Sequence, residues 1–167
     1  DVVFSSAGGA VSQAHAWAWA GHGAVVIDNT SAWRLDPRVP LVVPEVNPGA
    51  IGEHRGVIAN PNCSTILALL ALAPLHRAFG LTRATVATYQ AVSGGGLAGV
   101  DELDKQIRQV ADSAAELTHG GTAVTFPTPE KFVKPIAFNV LPFAGALVDD
   151  GSFETDEEQK LRNESRK

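Results

Sequence analysis

The one cysteine of the chain, Cys63, sits in Asn60-Pro61-Asn62-Cys63-Ser64-Thr65 and opens an apolar run. Ile66, Leu69, Leu70 and Ala73 recur at helical spacing, with Leu67, Ala71 and Leu72 between them. The pattern predicts a buried helix beginning at about Cys63. Asn62 is the expected N-cap, and Pro61 holds the approach extended. A thiol at that position faces unpaired backbone N–H groups and the positive end of the helix dipole, which favour the thiolate. A thiolate so placed attacks carbonyl carbon and forms thioesters. A free cysteine is also commonly a small buried core residue, and position alone leaves both roles open.

The remaining chemistry-bearing residues are dispersed. Arg34 is the first arginine of the chain and follows the polar turn Asp28-Asn29-Thr30-Ser31. Its fork of donors suits phosphate or carboxylate, while for the residue taken alone a surface salt bridge is the favoured reading. Glu157 and Lys160 stand one helical turn apart, as an ordinary i,i+3 pair on a solvated face would. Gln90 closes a predicted strand ahead of Ser93-Gly94-Gly95-Gly96, a glycine run that lets backbone approach a ligand or simply connects elements. The five histidines, His15, His22, His54, His76 and His119, have no metal-ligand spacing, and none stands out as a catalytic base.

The elements that must position these residues read as an α/β chain. Asp1 to Phe4 is a strand, Ser5 to Gly9 a small-residue turn, and Ala10 to Ala20 a helix stopped by Gly21 and Gly23. Ala24 to Ile27 is the next strand. Such half-units build a parallel sheet, whose ligands bind beyond the carboxyl ends of the strands, where both polar turns fall. The full G-x-G-x-x-G fingerprint is absent, and Gly8-Gly9 alone is also consistent with a plain tight turn. Val39 to Val43 reads as a short edge strand and Val57 to Ala59 as the strand that delivers Cys63. Pro74 is expected to kink the Cys63 helix before Gly80. Thr82 to Tyr89 reads as a β-branched strand, Gly99 to Val110 as an amphipathic helix, 112–129 as a long loop, and Ile136 to Leu141 as a strand. The closing 156–167 stretch is helical and almost wholly polar.

With 45% hydrophobic and 19% charged residues, the composition is that of an ordinary globular protein. A net charge of −5 without a basic cluster speaks against a nucleic-acid groove. No apolar run approaches a membrane span, and no signal peptide opens the sequence. A single cysteine excludes an internal disulfide framework and a cysteine-based zinc site, and a reducing, cytoplasmic setting is the expectation.

Six strings in register resemble aspartate-semialdehyde dehydrogenase. They are Val25 to Arg34, Pro40 to Asn47, Ala59-Asn60-Pro61-Asn62-Cys63-Ser64-Thr65, Thr88-Tyr89-Gln90-Ala91-Val92-Ser93-Gly94, Ile136 to Pro142, and Glu157-Glu158-Gln159-Lys160. Only the 112–134 stretch matches poorly. The resemblance implies reduction of β-aspartyl phosphate to aspartate semialdehyde and phosphate with NADPH, on the route to lysine, threonine, methionine and isoleucine. It implies Cys63 as the nucleophile that carries an acyl thioester, and Gln90 as the residue orienting the acyl group. Arg34, Asn62 and Lys160 match positions that hold phosphate, and Glu157 the position that takes the substrate amino group. Ser6, Gly8, Ser93 and Gly94 lie in turns that line the NADP cofactor in the family. The implied fold is the latter part of a Rossmann-type NADP-binding domain over 1–58, then the start of an α/β catalytic and dimerisation domain over 59–167. A homodimer or homotetramer is the implied assembly.

Departures from the family pattern are equally specific. The G-x-T-G-x-V-G phosphate turn is not in the sequence, nor is the segment bearing a carboxylate-binding arginine and an acid/base histidine. The expectation is an internal fragment, weak in NADP(H) binding and without turnover, because general acid–base help is worth ~10²–10⁴-fold. N-acetyl-γ-glutamyl-phosphate reductase uses the same chemistry but tends to place tyrosine where this chain has Ser64. Glyceraldehyde-3-phosphate dehydrogenase shares the logic without the histidine-bearing pattern being seen here. A non-catalytic dimerisation or binding module of the same fold is the reading from another class; the joint presence of Cys63, Gln90, Arg34, Glu157 and Lys160 argues against it.

Overall fold

Short apolar runs rich in valine need neighbours on both sides, and three of them find each other. In the computed structural model, which describes residues 1–167, β1 (Val2–Ser5), β2 (Val25–Asp28) and β3 (Val57–Ala59) form a parallel sheet in the order β1-β2-β3. Val2 pairs with Val25 and Ser5 with Asp28; Val26 pairs with Val57 and Asp28 with Ala59. Parallel neighbours require a crossover, and α1 (Gly9–Gly21) supplies the first. The chain forms two compact units, residues 1–86 with 146–167, and residues 87–145.

The core of the first unit is Ala16 of α1 with Val26, Val39, Leu41, Val57 and Ala59, and Trp17, Trp19 and Trp33 pack around it. Trp17 meets Trp33 edge-on at 5.8 Å between ring centroids. Gly56 enables this packing: its φ is +106°, and a Cβ there would lie 2.6 Å from the Cβ of Ala20. No residue with a side chain suits that position.

The helix predicted at Cys63 forms as α2 (Cys63–Phe79), with Pro74 inside it and Gly80 in the left-handed conformation at its end. The expected burial does not follow. Only Thr65 is fully buried, while Leu67 is 71% and Phe79 81% exposed. Apolar residues ring this helix almost completely, so packing on α4 (Asp156–Glu164) covers one face and leaves the others bare.

Three predicted strands are corrected. The edge strand over 39–43 reduces to a single parallel bridge, Leu41 to Ala59. Residues 82–89 form no strand; the alternating pattern needs a ladder partner, and none of the three strands pairs with it. Nor do residues 136–141 form one. There the Gln106 side-chain carbonyl accepts the backbone N–H groups of Ile136 (2.8 Å) and Ala137 (3.0 Å). The chain then turns, with Asn139 N–H donating to Ile136 O and Phe138 at a φ of 55°.

The second unit is built on α3 (Leu97–Val110), whose buried side includes Gly99, Glu102, Gln106 and Val110. Glu102 accepts the backbone N–H groups of Glu130 and Lys131, so α3 organises the following segment through polar side chains. Part of the predicted 112–129 loop is a 3₁₀ helix, Ala111–Thr118.

Candidate active site at the amino end of α2

β3 is pinned before it turns into α2. Ala59 N–H donates to Pro40 O, Val42 N–H donates to Ala59 O, and Asn60 N–H donates to Asp28 O. Asn62 then caps the helix as expected: its Oδ1 accepts the Ser64 N–H at 2.8 Å. The same side chain donates from Nδ2 to Glu157 Oε1 at 3.0 Å, and its backbone N–H donates to Glu164 Oε2 at 2.6 Å. Asn62 is thereby held by three separate bonds. Cys63, the next residue, is exposed at the first position of the helix.

The partners of Asn62 come from α4. Thr155 starts that helix with a capping box: its hydroxyl accepts the Glu158 N–H, and the Glu158 carboxylate accepts the Thr155 N–H. Glu157, Lys160 and Glu164 follow at i, i+3 and i+7, which places them on one face. Lys160 Nζ donates to Asp156 Oδ2 at 2.5 Å and to Glu157 Oε2 at 3.4 Å. Burial works against the Lys160 charge, but the bonds and charges of Asp156 and Glu157 outweigh it and raise its pKa above the ordinary lysine value. For Asp156, burial is the largest influence and acts upward; the hydrogen bonds from Lys160 and the Ala146 N–H together still hold its carboxyl below the usual range. Lys160 is therefore a fixed cation at neutral pH.

Arg34 arrives by a different route. Asp28, at the end of β2, is wholly buried. Its Oδ1 accepts both the backbone N–H (2.9 Å) and the hydroxyl (2.7 Å) of Thr30, and its Oδ2 accepts the Ser12 hydroxyl. Ser12 Oγ accepts in turn from Trp33 Nε1 at 2.8 Å. This network shapes the 29–34 turn and directs Arg34 inward. Arg34 Nη1 donates to Glu164 Oε1 at 3.0 Å and Nη2 to Asn29 O at 3.1 Å, and Nε–H has no partner. The salt bridge that Arg34 was expected to make exists, but it is buried, with side-chain exposures of 10% and 2%. Lys167 braces the backbone beyond it by donating from Nζ to the carbonyls of Arg34, Asp36 and Val39.

Four of the predicted residues, Arg34, Asn62, Glu157 and Lys160, thus join one network beside Cys63. Its centre is Glu164, which the sequence reading missed; the signal was its place seven residues after Glu157 on the same helical face. Ser6 and Gly8 lie in the exposed turn after β1. Gly8 has a φ of 99° and caps α1 without a side-chain bond, open space surrounds it, and no acidic residue stands in the first turn of the helix. An N-terminus so arranged fits a phosphate of a dinucleotide. Gln90, Ser93 and Gly94 belong to the second unit. Gln90 is exposed there and its Oε1 accepts from Thr88 Oγ1 at 2.8 Å, while Ser93 and Gly94 form the 3₁₀ turn Val92–Gly95 that leads into α3.

A parallel sheet whose third strand leads into a helix with an asparagine cap and an exposed thiol at its first position defines a class: α/β proteins of the Rossmann type. Residues 1–54 match the semialdehyde dehydrogenase NAD binding domain, and residues 72–167 match the semialdehyde dehydrogenase dimerisation domain. The chain belongs to the semialdehyde dehydrogenase family. It is 62% identical over its full length to aspartate-semialdehyde dehydrogenase of Streptomyces akiyoshiensis, of which it covers 50%. The crystal structure of aspartate semialdehyde dehydrogenase II from Vibrio cholerae complexed with ASA superposes with a TM-score of 0.86 at 43% identity, over 99% of this chain and 46% of that one. The Candida albicans enzyme, crystallised with NADP, has a TM-score of 0.53 at 36% identity over 62% of this chain and 33% of that one. The chain spans about half the length of the curated relatives it matches. No helix is long and apolar enough to cross a membrane.

Proposed function

We propose that these residues belong to an enzyme that reduces β-aspartyl phosphate to aspartate semialdehyde with NADPH, supplying lysine, threonine, methionine and isoleucine synthesis. The observation that carries the reading is the convergence of Arg34, Asn62, Glu157 and Lys160 on the turn that presents Cys63. In it, Cys63 Sγ attacks the acyl carbon of the acyl phosphate, the C–O bond to phosphate breaks, and inorganic phosphate leaves with the electron pair. Arg34, Asn62 and Lys160 hold the departing dianion, which is why a cation of raised pKa is useful at Lys160. Glu157 receives the substrate ammonium, and Gln90 orients the acyl group on the resulting Cys63 thioester. The nicotinamide cofactor, when bound, supplies the two electrons that convert the acyl group to the aldehyde. Ser6, Gly8, Ser93 and Gly94 line its site.

On this reading residues 1–58 are the remainder of the dinucleotide domain and 59–167 the beginning of the catalytic and dimerisation domain. Assembly as a homodimer or homotetramer is supported by the dimerisation-domain match and by the bare apolar faces of α2, and the cytoplasm is the proposed setting. The 167 residues alone bind NADP(H) weakly, because the G-x-T-G-x-V-G phosphate turn is not among them, and do not turn over, because the acid/base histidine segment of the family is not among them either. The test is acylation rather than turnover. Incubation with β-aspartyl phosphate should leave a hydroxylamine-labile adduct on Cys63, absent in Cys63→Ser and suppressed by inorganic phosphate. A folded chain that forms no such adduct overturns the reading.

A further inference from the structure

The mechanism above uses four residues of the cluster and leaves its centre without a role. Glu164 is 4% exposed, and its two oxygens face opposite clients. Oε1 accepts from Arg34 Nη1 at 3.0 Å, while Oε2 accepts from the Asn62 backbone N–H at 2.6 Å. One client is a guanidinium on the turn after β2, and the other is the amide that immediately precedes Cys63. We propose that Glu164 is a positioning residue: it sets the Arg34 guanidinium and the Asn62–Cys63 turn in a fixed relation, so that the phosphate-holding donors and the thiol act on one substrate.

Two physical points support a positioning role over a merely stabilising one. Burying a carboxylate costs several kcal/mol, and a buried ion pair often adds no net stability over apolar residues of the same shape. What the pair supplies instead is geometry. With Nη1 on Glu164 and Nη2 on the Asn29 carbonyl, the plane of the guanidinium is fixed, and its Nε–H is left without a partner. The second point is chemical. Glutamine has one acceptor oxygen, so Glu164→Gln keeps shape and volume yet must abandon either Arg34 or the Asn62 N–H.

The proposal rests on the function read above for the site, and the test separates the two. The 167-residue chain is prepared as wild type, E164Q and T155V. The last weakens the α4 cap without touching any partner of Glu164. Folding is followed by circular dichroism and tryptophan fluorescence, and all measurements are made well below each variant's unfolding transition. The Asn62 amide, read by hydrogen exchange, should be protected in wild type and T155V and should exchange at least about tenfold faster in E164Q, as expected when its charged acceptor is lost. Protection of Cys63 from iodoacetamide by inorganic phosphate should weaken roughly tenfold in E164Q, the low end of what loss of an orienting partner costs, and should persist in T155V. Unchanged Asn62 exchange together with unchanged phosphate protection of Cys63 in E164Q, so that neither partner has been released, overturns the positioning role. Equal loss of phosphate protection in T155V and E164Q reduces Glu164 to a stability element and also overturns it. A wild-type Cys63 that phosphate never protects, with Asn62 exchange still dependent on Glu164, sinks the functional reading and leaves the positioning contact standing.

Discussion

Asp28 is the residue whose replacement should most disturb the first unit without touching the cysteine turn directly. It is wholly buried, and three donors converge on it: the Ser12 hydroxyl, the Thr30 N–H and the Thr30 hydroxyl. Asp28→Ala leaves those donors without an acceptor, at about 1–3 kcal/mol for each buried one, with overlap because Thr30 supplies two. The expected loss is about 3–5 kcal/mol, a large share of a normal folding stability of about 5–15 kcal/mol. Asp28→Asn retains an oxygen for Thr30 but loses the charge, and its amide must face a Ser12 hydroxyl that already accepts from Trp33. Charge-assisted bonds are roughly twice as strong as neutral ones, so about 1.5–3 kcal/mol is expected there. The assay is urea denaturation by fluorescence: Trp17, Trp19 and Trp33 all lie in the first unit, so the signal reports on that unit alone. With an m value of about 2 kcal/mol/M, the midpoint falls by about 1 M for Asp28→Asn and about 2 M for Asp28→Ala. Both variants should weaken phosphate protection of Cys63 under native conditions, because the Arg34 turn hangs from Asp28. An Asp28→Ala cost below about 1 kcal/mol would refute the claim that this carboxylate ties α1 to that turn.

Three further outcomes follow from the same geometry. Asn62→Ala should cost α2 its cap, about 1 kcal/mol, whereas Asn62→Asp keeps an acceptor for Ser64 but sets a carboxylate against Glu157. Circular dichroism should therefore show helix loss in the first only, with phosphate protection of Cys63 lost in both; equal helix loss contradicts the assignment. Gly56→Ala combines a left-handed backbone with a clash against Ala20, and should cost about 2–5 kcal/mol by urea melts; a neutral result would show that α1 shifts freely on β3. The Arg38 side chain donates to Asp36 and, with the Arg38 N–H, lowers the Asp36 pKa to about 2. A depressed carboxyl contributes stability above its unfolded pKa and loses it as pH falls through the folded one, here from about pH 4 down to about pH 2. Carbon NMR titration should find Asp36 near 2 in wild type and raised part of the way toward its ordinary value in Arg38→Ala, because the backbone N–H at position 38 still donates to it.

Local features were legible in the sequence, and long-range ones were not. The start of α2 could be read because an asparagine cap acts on a neighbour two residues away. Its end could be read because Gly80 takes a conformation that other residues resist. The three core strands were legible from valine-rich runs between turns. The fate of Arg34 was not, because its partner lies 130 residues further on, in a helix whose polarity reads as solvated surface. Glu164 was masked for the same reason: apart from its i+7 spacing from Glu157, a buried glutamate on a charged helix looks like its exposed neighbours. The strand pattern at 82–89 was real as a pattern, but alternation states a preference for a sheet and does not provide the ladder. At 136–141 the competing force was a side chain, Gln106, which took the backbone donors that a strand neighbour would have used.

The dependence of the Cys63 turn on α4 also has a consequence in time. Asn62 is braced by residues 95 and 102 positions later in the chain. At synthesis rates of ~5–20 residues per second, the ribosome needs roughly 5–20 s to add the segment from Asn62 to Glu164. Throughout that interval β1, α1, β2, β3 and the head of α2 are already available to fold, while the thiol waits without its braces. The site therefore matures late and in a single event, when α4 docks, and a nascent chain halted before that helix would carry a folded sheet and an unassembled cysteine.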